Sequence, residues 1–243
     1  MARLREMMWD DSAPAIAAPE SARAAFIRKT YSHVFGATLA FVALEAAFFA
    51  TNLPEAIFRA VTIQWFGPLL MLLGLIGAGW LARAWAHGST SVGTQYLGLG
   101  LYVVAEALFF APWLWYASHF GENVIPMAGF LTLAVFGALT AVVFITGADF
   151  SFLRSALSVM SLAALAIIVA GMIFGFSFPL FLCGLLLMLA CGYILYDTSN
   201  ILHHYPTTQY VGASLELFAS LALLFWEMIR IVLYVQSLMG DGD

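Results

Sequence analysis

Hydrophobic positions in this chain come in long blocks rather than in alternation. Seven stretches of about 20 apolar residues, each bounded by polar residues or by Pro and Gly, lie at roughly 32 to 52, 65 to 86, 95 to 117, 125 to 146, 154 to 174, 178 to 203 and 209 to 237. A helix of that length matches the hydrocarbon thickness of a bilayer. The predicted fold class is therefore an all-α integral membrane protein with seven transmembrane helices. The connections are short, so the helices form one bundle with no soluble domain between them. The expected division is a polar tail over 1–30, a seven-helix domain over 31–238 and a short tail over 239–243. The first tail begins with Arg3 and Arg5 but runs directly into WDDSAPA, without the apolar core of a secretory signal. A surface helix is expected near Ser21 to Lys29.

Composition agrees with the pattern. The chain has 243 residues, 63% hydrophobic and 9% charged, with a mean hydropathy of +0.94, whereas a soluble domain carries about 25% charged residues. The net charge of -5 and the scattered basic residues offer no surface for nucleic acid. Cys183 and Cys191 lie on one predicted helix, about 80° apart in direction, so they cannot pair with each other and read as packing residues. Neither a metal nor another cofactor is expected.

The charges also orient the bundle. With the amino terminus in the cytoplasm, the inner segments carry Arg3, Arg5, Arg23, Arg28, Lys29, Arg83 and Arg154, against Arg59 outside, which follows the positive-inside bias. The carboxyl terminus then lies outside, and a bacterial chain of this kind belongs in the inner, or plasma, membrane. Trp65, Trp85, Trp113 and Trp115 fall near span ends, where interfacial aromatics belong. FGATLAFV from Phe35 in the first span and FGALTAVV from Phe136 in the fourth hint at two inverted triplets followed by a lone seventh helix.

Acids inside apolar spans are the candidate chemistry, because an ionisable group facing lipid is costly. Glu45, Glu106, Asp197, Glu216 and Glu227 are such acids, and Arg230 is the basic residue well inside a span. Glu106 precedes Pro112, whose missing N–H loosens the helix there. On the last span Glu216, Ser220 and Glu227 lie within about 40° of one another and form a polar stripe, and Arg230 follows Glu227 at a spacing that permits an ion pair. Pro206 ends the sixth span near His204, which places Asp197 ~10 Å from that end and Glu216 ~12 Å into the seventh span. The two carboxylates are therefore expected to be level and to share a proton. His203 and His204 point about 100° apart and are expected to be solvated rather than to hold a metal.

The stretches GYILYDTSNI (Gly192 to Ile201) and ASLELFASLALLFWEMIRIVL (Ala213 to Leu233), with AEALFFAPWL around Pro112 and the layout of the spans, resemble the Bax inhibitor family, the transmembrane Bax inhibitor motif proteins that include YccA-like bacterial members. The resemblance covers about residues 25 to 238. It implies two three-helix layers around a central seventh helix, a calcium or other cation leak sensitive to pH, and a role in stress protection. The alternative it implies is a non-conducting membrane partner that modulates a larger complex, such as membrane protease machinery. The family's pH sensor pairs the Asp of the DT element with an Asp on the seventh helix. Asp197 matches the first, but Ser220 stands at the second, with Glu216 one turn away. The resemblance leaves the oligomeric state open.

Other seven-span chemistries fit less well. A retinal protein needs a lysine within the bundle, yet the single lysine is Lys29 in the tail. The Gly240 to Asp243 run GDGD copies half of an aspartyl protease motif but sits at the chain end, and Gly175 to Pro179 reads GFSFP with no mid-span histidine for a serine protease. The final helix also lacks the histidine-bearing pattern of the oxidase subunit III family. The chain is not expected to be an enzyme.

Overall fold

The computed structural model describes residues 14–88, 91–175 and 179–240. The helices are α1 (Glu20–Phe49), α2 (Leu53–Ile63), α3 (Gly67–Gly88), α4 (Val92–Ser118), α5 (Val124–Thr146), α6 (Leu153–Phe174), α7 (Pro179–His203) and α8 (Tyr210–Gly240), and every one except α2 is long and apolar enough to span a bilayer. Arg3, Arg5, the GDGD aspartates and the middle of GFSFP lie outside the described residues.

Two differences from the sequence expectation are instructive. The surface helix expected before the first span is continuous with it, since nothing between Glu20 and Phe49 breaks the backbone ladder. The second difference is α2, which the apolar blocks do not announce. Pro54 sits in its first turn, where a missing N–H costs nothing, and its Phe58 ring lies 5.2 Å from Trp115 and 5.4 Å from Tyr116 on α4. Too short to span, α2 covers the carboxyl-terminal end of α4. Trp113, expected at the interface, is instead drawn into this aromatic layer, 6.0 Å from Phe58 and 5.9 Å from Trp226.

The first three spanning helices (α1, α3, α4) and the next three (α5, α6, α7) have matching internal contacts. In each triplet the third helix packs against the first two, and α8 packs against α1, α3, α4, α5 and α7. Helix α8 is thus the core of the bundle, with Leu215, Leu217 and Leu224 fully buried. Gly98 lets α4 approach α3 closely: a Cβ there would lie 2.6 Å from the Ala82 carbonyl oxygen. Pro112 is accommodated in α4 without ending it. At mid-depth Phe110 and Phe225 stack at 5.4 Å, Phe41 meets both edge-on at 5.3 and 6.3 Å, and the three rings fill the space between α1, α4 and α8.

Candidate functional site

At the face of the bundle that holds the start of α8, the ends of α3 and α7 bring a polar cluster together. Asp197 lies six residues before the end of α7 and Glu216 six residues after the start of α8, so the two positions are level along their helices, as expected. They do not pair. Side chains tilt toward the amino terminus of their own helix, and α7 and α8 run antiparallel. Asp197 is therefore aimed deeper into the bundle, where the Ser220 hydroxyl donates to its Oδ2. Glu216 is aimed toward the mouth, where Arg83 Nε donates to both of its oxygens at 3.1 and 2.9 Å. The proton-sharing pair expected from the level match is corrected to two separate contacts, Asp197 with Ser220 and Glu216 with Arg83.

Arg83 is held from several sides. Its guanidinium carbon lies 5.6 Å from the centre of the Tyr102 ring, a cation–π distance, and Gly79 leaves room for this fold-back, since a Cβ there would be 3.1 Å from Nη1. Tyr102 in turn hydrogen-bonds Glu106 one turn along α4. Glu106 thus belongs to the cluster through Tyr102 and lies buried within the bundle. His87, one turn beyond Arg83, has Nδ1 3.2 Å from the Arg83 carbonyl oxygen and Nε2 3.0 Å from the Tyr205 hydroxyl. With Nδ1–H donating to the carbonyl, Nε2 is free to accept from Tyr205. Burial pushes the Tyr205 hydroxyl well above the ordinary phenol range, so it remains a donor. The same Nε2 lies 3.7 Å from Glu216. Gly212 admits the imidazole, because a Cβ at that position would be 2.9 Å from Nε2.

Tyr205 is itself fixed from the amino-terminal segment: Ala15 N–H donates to its carbonyl at 2.8 Å, Pro14 bridges to Pro206, and Ala15 is fully buried. On the other flank, Phe150 N–H donates to Ser199 Oγ at 2.8 Å and ties the α5–α6 loop to α7 two residues past Asp197. In this loop Asp149 accepts from Ser151 N–H at 2.9 Å, which holds its carboxyl below the ordinary aspartate range. A depressed carboxyl adds stability that is present above the unfolded value of ~3.9 and fades as pH falls through the folded one. Asp149→Asn should therefore lower the melting temperature slightly at pH 7, little because the side chain is mostly solvated, and not at all at pH 2. An equal shift at both pH values would argue against the loop bond. His204 Nε2 lies 3.9 Å from Asp149, and His203 Nδ1 lies 2.9 Å from the Ser199 carbonyl oxygen.

The carboxyl-terminal half of α8 carries the remaining expected pair. Arg230 Nη1 lies 3.1 Å from both oxygens of Glu227, and Glu227 is fully buried. The stripe of Glu216, Ser220 and Glu227 is thus split: its first two members belong to the mouth cluster, and Glu227 lies beyond the Phe41, Phe110 and Phe225 layer. Glu45 is buried on α1, with both carboxylate oxygens lacking a protein partner.

Four members of the mouth cluster, Arg83, His87, Tyr102 and Tyr205, were not candidates from sequence. Arg83 and His87 occur four residues apart near the end of an otherwise apolar span, which places them on one face. That spacing is the signal, but near a span end it is equally that of interfacial residues.

The sequence profile described as "Inhibitor of apoptosis-promoting Bax1" matches residues 23–237. This chain belongs to the Bax inhibitor family. Among its relatives, "Bax inhibitor 1" of Schizosaccharomyces pombe is 30% identical, covering 94% of this chain and 84% of that protein. "Protein LIFEGUARD 4" of Arabidopsis thaliana is also 30% identical, over 85% of this chain and 83% of the relative. The "Modulator of FtsH protease YccA" of Escherichia coli is 28% identical, over 85% and 88%. No solved structure matches. Asp197 of the DT element and Ser220 on the seventh spanning helix are in direct hydrogen-bond contact.

Proposed function

We propose that this Bax inhibitor family member is a proton-regulated cation leak, with its mouth closed here by Arg83 and Glu216. The supporting observation is that bond itself: it ties α3 to the central α8 across the one face where polar groups from α3, α4, α7 and α8 converge. Parting of α3 from α8 would present Glu216, Asp197 and Glu106 to water, three carboxylates suited to a calcium or monovalent cation. The groups that face Glu216 from the surrounding elements are Arg83 and His87 on α3, Tyr102 on α4, Asp197 on α7 and Tyr205 in the α7–α8 connection. His87 Nε2 stands 3.0 Å from the Tyr205 hydroxyl and 3.7 Å from Glu216, so a proton gained or lost within this set of groups acts directly on the bridge. Purified protein in liposomes should pass cations at a rate that depends on pH between 5 and 8, whereas equal flux with and without protein would refute the leak.

The orientation we propose places this mouth in the cytoplasm. Arg23, Arg28, Lys29, Arg83 and Arg154 all belong to the mouth's side of the bundle, and Arg59 to the opposite side. A reporter fused after Asp243 should be active only in the external compartment, and cytoplasmic activity would contradict seven crossings. A second reading rests on the YccA relative, whose printed role is modulation of FtsH protease. On that reading the chain binds a membrane protease without conducting, and protein-dependent flux would be absent.

A further inference from the structure

Between the lipid-facing sides of α1 and α4 runs an open groove of about 530 Å³, from Ser32, His33 and Tyr96 at one end to Leu44 and Val104 at the other. Its walls lack bulk because Gly36 and Ala40 on α1 face Gly100 on α4. Helix contact does not explain those glycines, since a Cβ at Gly36 or Gly100 would meet nothing within 4 Å, in contrast to Gly98. The space is apolar along its length and polar at one end only.

That end has a definite chemistry. His33 Nε2 lies 2.7 Å from the Tyr96 hydroxyl, joining the two helices, while His33 Nδ1 lies 2.6 Å from the Lys29 carbonyl oxygen. The Tyr210 ring is 5.2 Å from His33, and Lys29 Nζ lies 5.1 Å from the centre of the same ring. Lys29, His33, Gly36, Ala40 and Leu44 recur at spacings of three and four, so the lysine stands on the groove's own face of α1. Arg28 and Lys29 are both exposed there. No acid occurs on α1 between Glu20 and Glu45, or on α4 before Glu106. The groove's mouth is positive.

We infer that this groove seats one anionic phospholipid, an acyl chain lying past Gly36, Ala40 and Gly100 and the phosphate held at Lys29 and Arg28 beside the His33–Tyr96 bond. A bilayer supplies acyl chains to any lipid-facing groove. The charge at this mouth, where basic residues meet the headgroup level with no opposing acid on the groove walls among the described residues, selects the anionic headgroup. Tyr96 and Tyr210 stand at the headgroup level, as interfacial aromatics do. This inference does not depend on conduction.

The test is native mass spectrometry of the purified full chain in mild detergent, titrated with dioleoyl phosphatidylglycerol or dioleoyl phosphatidylcholine. One molecule of the phosphatidylglycerol should be retained with about a tenfold preference, the scale that one or two basic residues at an anionic headgroup provide. Lys29→Gln should reduce that preference to within about twofold of parity. Gly36→Leu should abolish retention of either lipid while leaving the melting temperature near that of the wild type, because the new side chain enters open space. Gly100→Leu fills the groove from the opposite wall and should do the same. Equal retention of both lipids by the wild type overturns the inference, as does either folded leucine variant that retains phosphatidylglycerol undiminished. A change in oligomeric state in the leucine variants with lipid retention intact also overturns it, and assigns the groove to a second copy of the chain.

Discussion

Arg83→Met is expected to raise cation flux through liposomes about 5- to 30-fold at neutral pH. The charge-assisted bond to Glu216 is part-exposed, with 38% of the arginine side chain accessible, so its contribution is at the lower end for such bonds, about 1 to 2 kcal/mol. If that bond distinguishes closed from open, its loss shifts the equilibrium by the corresponding factor of about 5 to 30. Methionine retains most of the apolar stem that packs on Tyr102, so the change removes charge more than volume. The flux of this variant should also respond less to pH, because the bridge that a proton within the cluster would weaken is already absent. Unchanged flux in a well-folded Arg83→Met protein would mean that the bridge is not the closure.

The largest stability effect is expected at the opposite end of α8. Arg230→Leu leaves the fully buried Glu227 carboxylate without the guanidinium 3.1 Å away, which should cost about 3–5 kcal/mol. For a chain of this size that is a fall in melting temperature of about 6–20 °C. Adding Glu227→Gln should recover more than half of it, because an amide needs no counter-charge. Thermal unfolding in detergent of the two single variants and the double variant checks this. Equal losses in Arg230→Leu and the double variant would show that the buried charge is not what destabilises the protein.

Much of this architecture was legible because the bilayer imposes a simple code. Seven apolar blocks became seven long helices, and the end of α7 fell next to Pro206 as backbone sterics require. The Glu227–Arg230 contact was readable because both partners lie on one helix, where spacing determines proximity. Contacts between helices were harder. Axial depth placed Asp197 and Glu216 level, but depth says nothing about the direction of a side chain, and antiparallel neighbours tilt theirs to opposite ends. Arg83 was hidden for a related reason: an arginine near a span end reads as an interfacial anchor until a buried partner on another helix is known. Helix α2 was missed because 11 residues are too few to stand out among blocks twice as long. The aromatic layer of Phe41, Phe110 and Phe225 was equally out of reach, since 21 phenylalanines give no sign of which ones meet.

Charge exchange is the most direct test that Arg83 and Glu216 hold the mouth closed. Arg83→Glu, Glu216→Arg and the double exchange should each be reconstituted in liposomes, and calcium and monovalent-cation flux measured from pH 5 to 8. The account predicts high flux for both single variants, where like charges face each other, and a return toward wild-type flux in the double exchange, where the bond is rebuilt with its polarity reversed. A double exchange that leaks as much as the single variants, or single variants that do not leak at all, would contradict it.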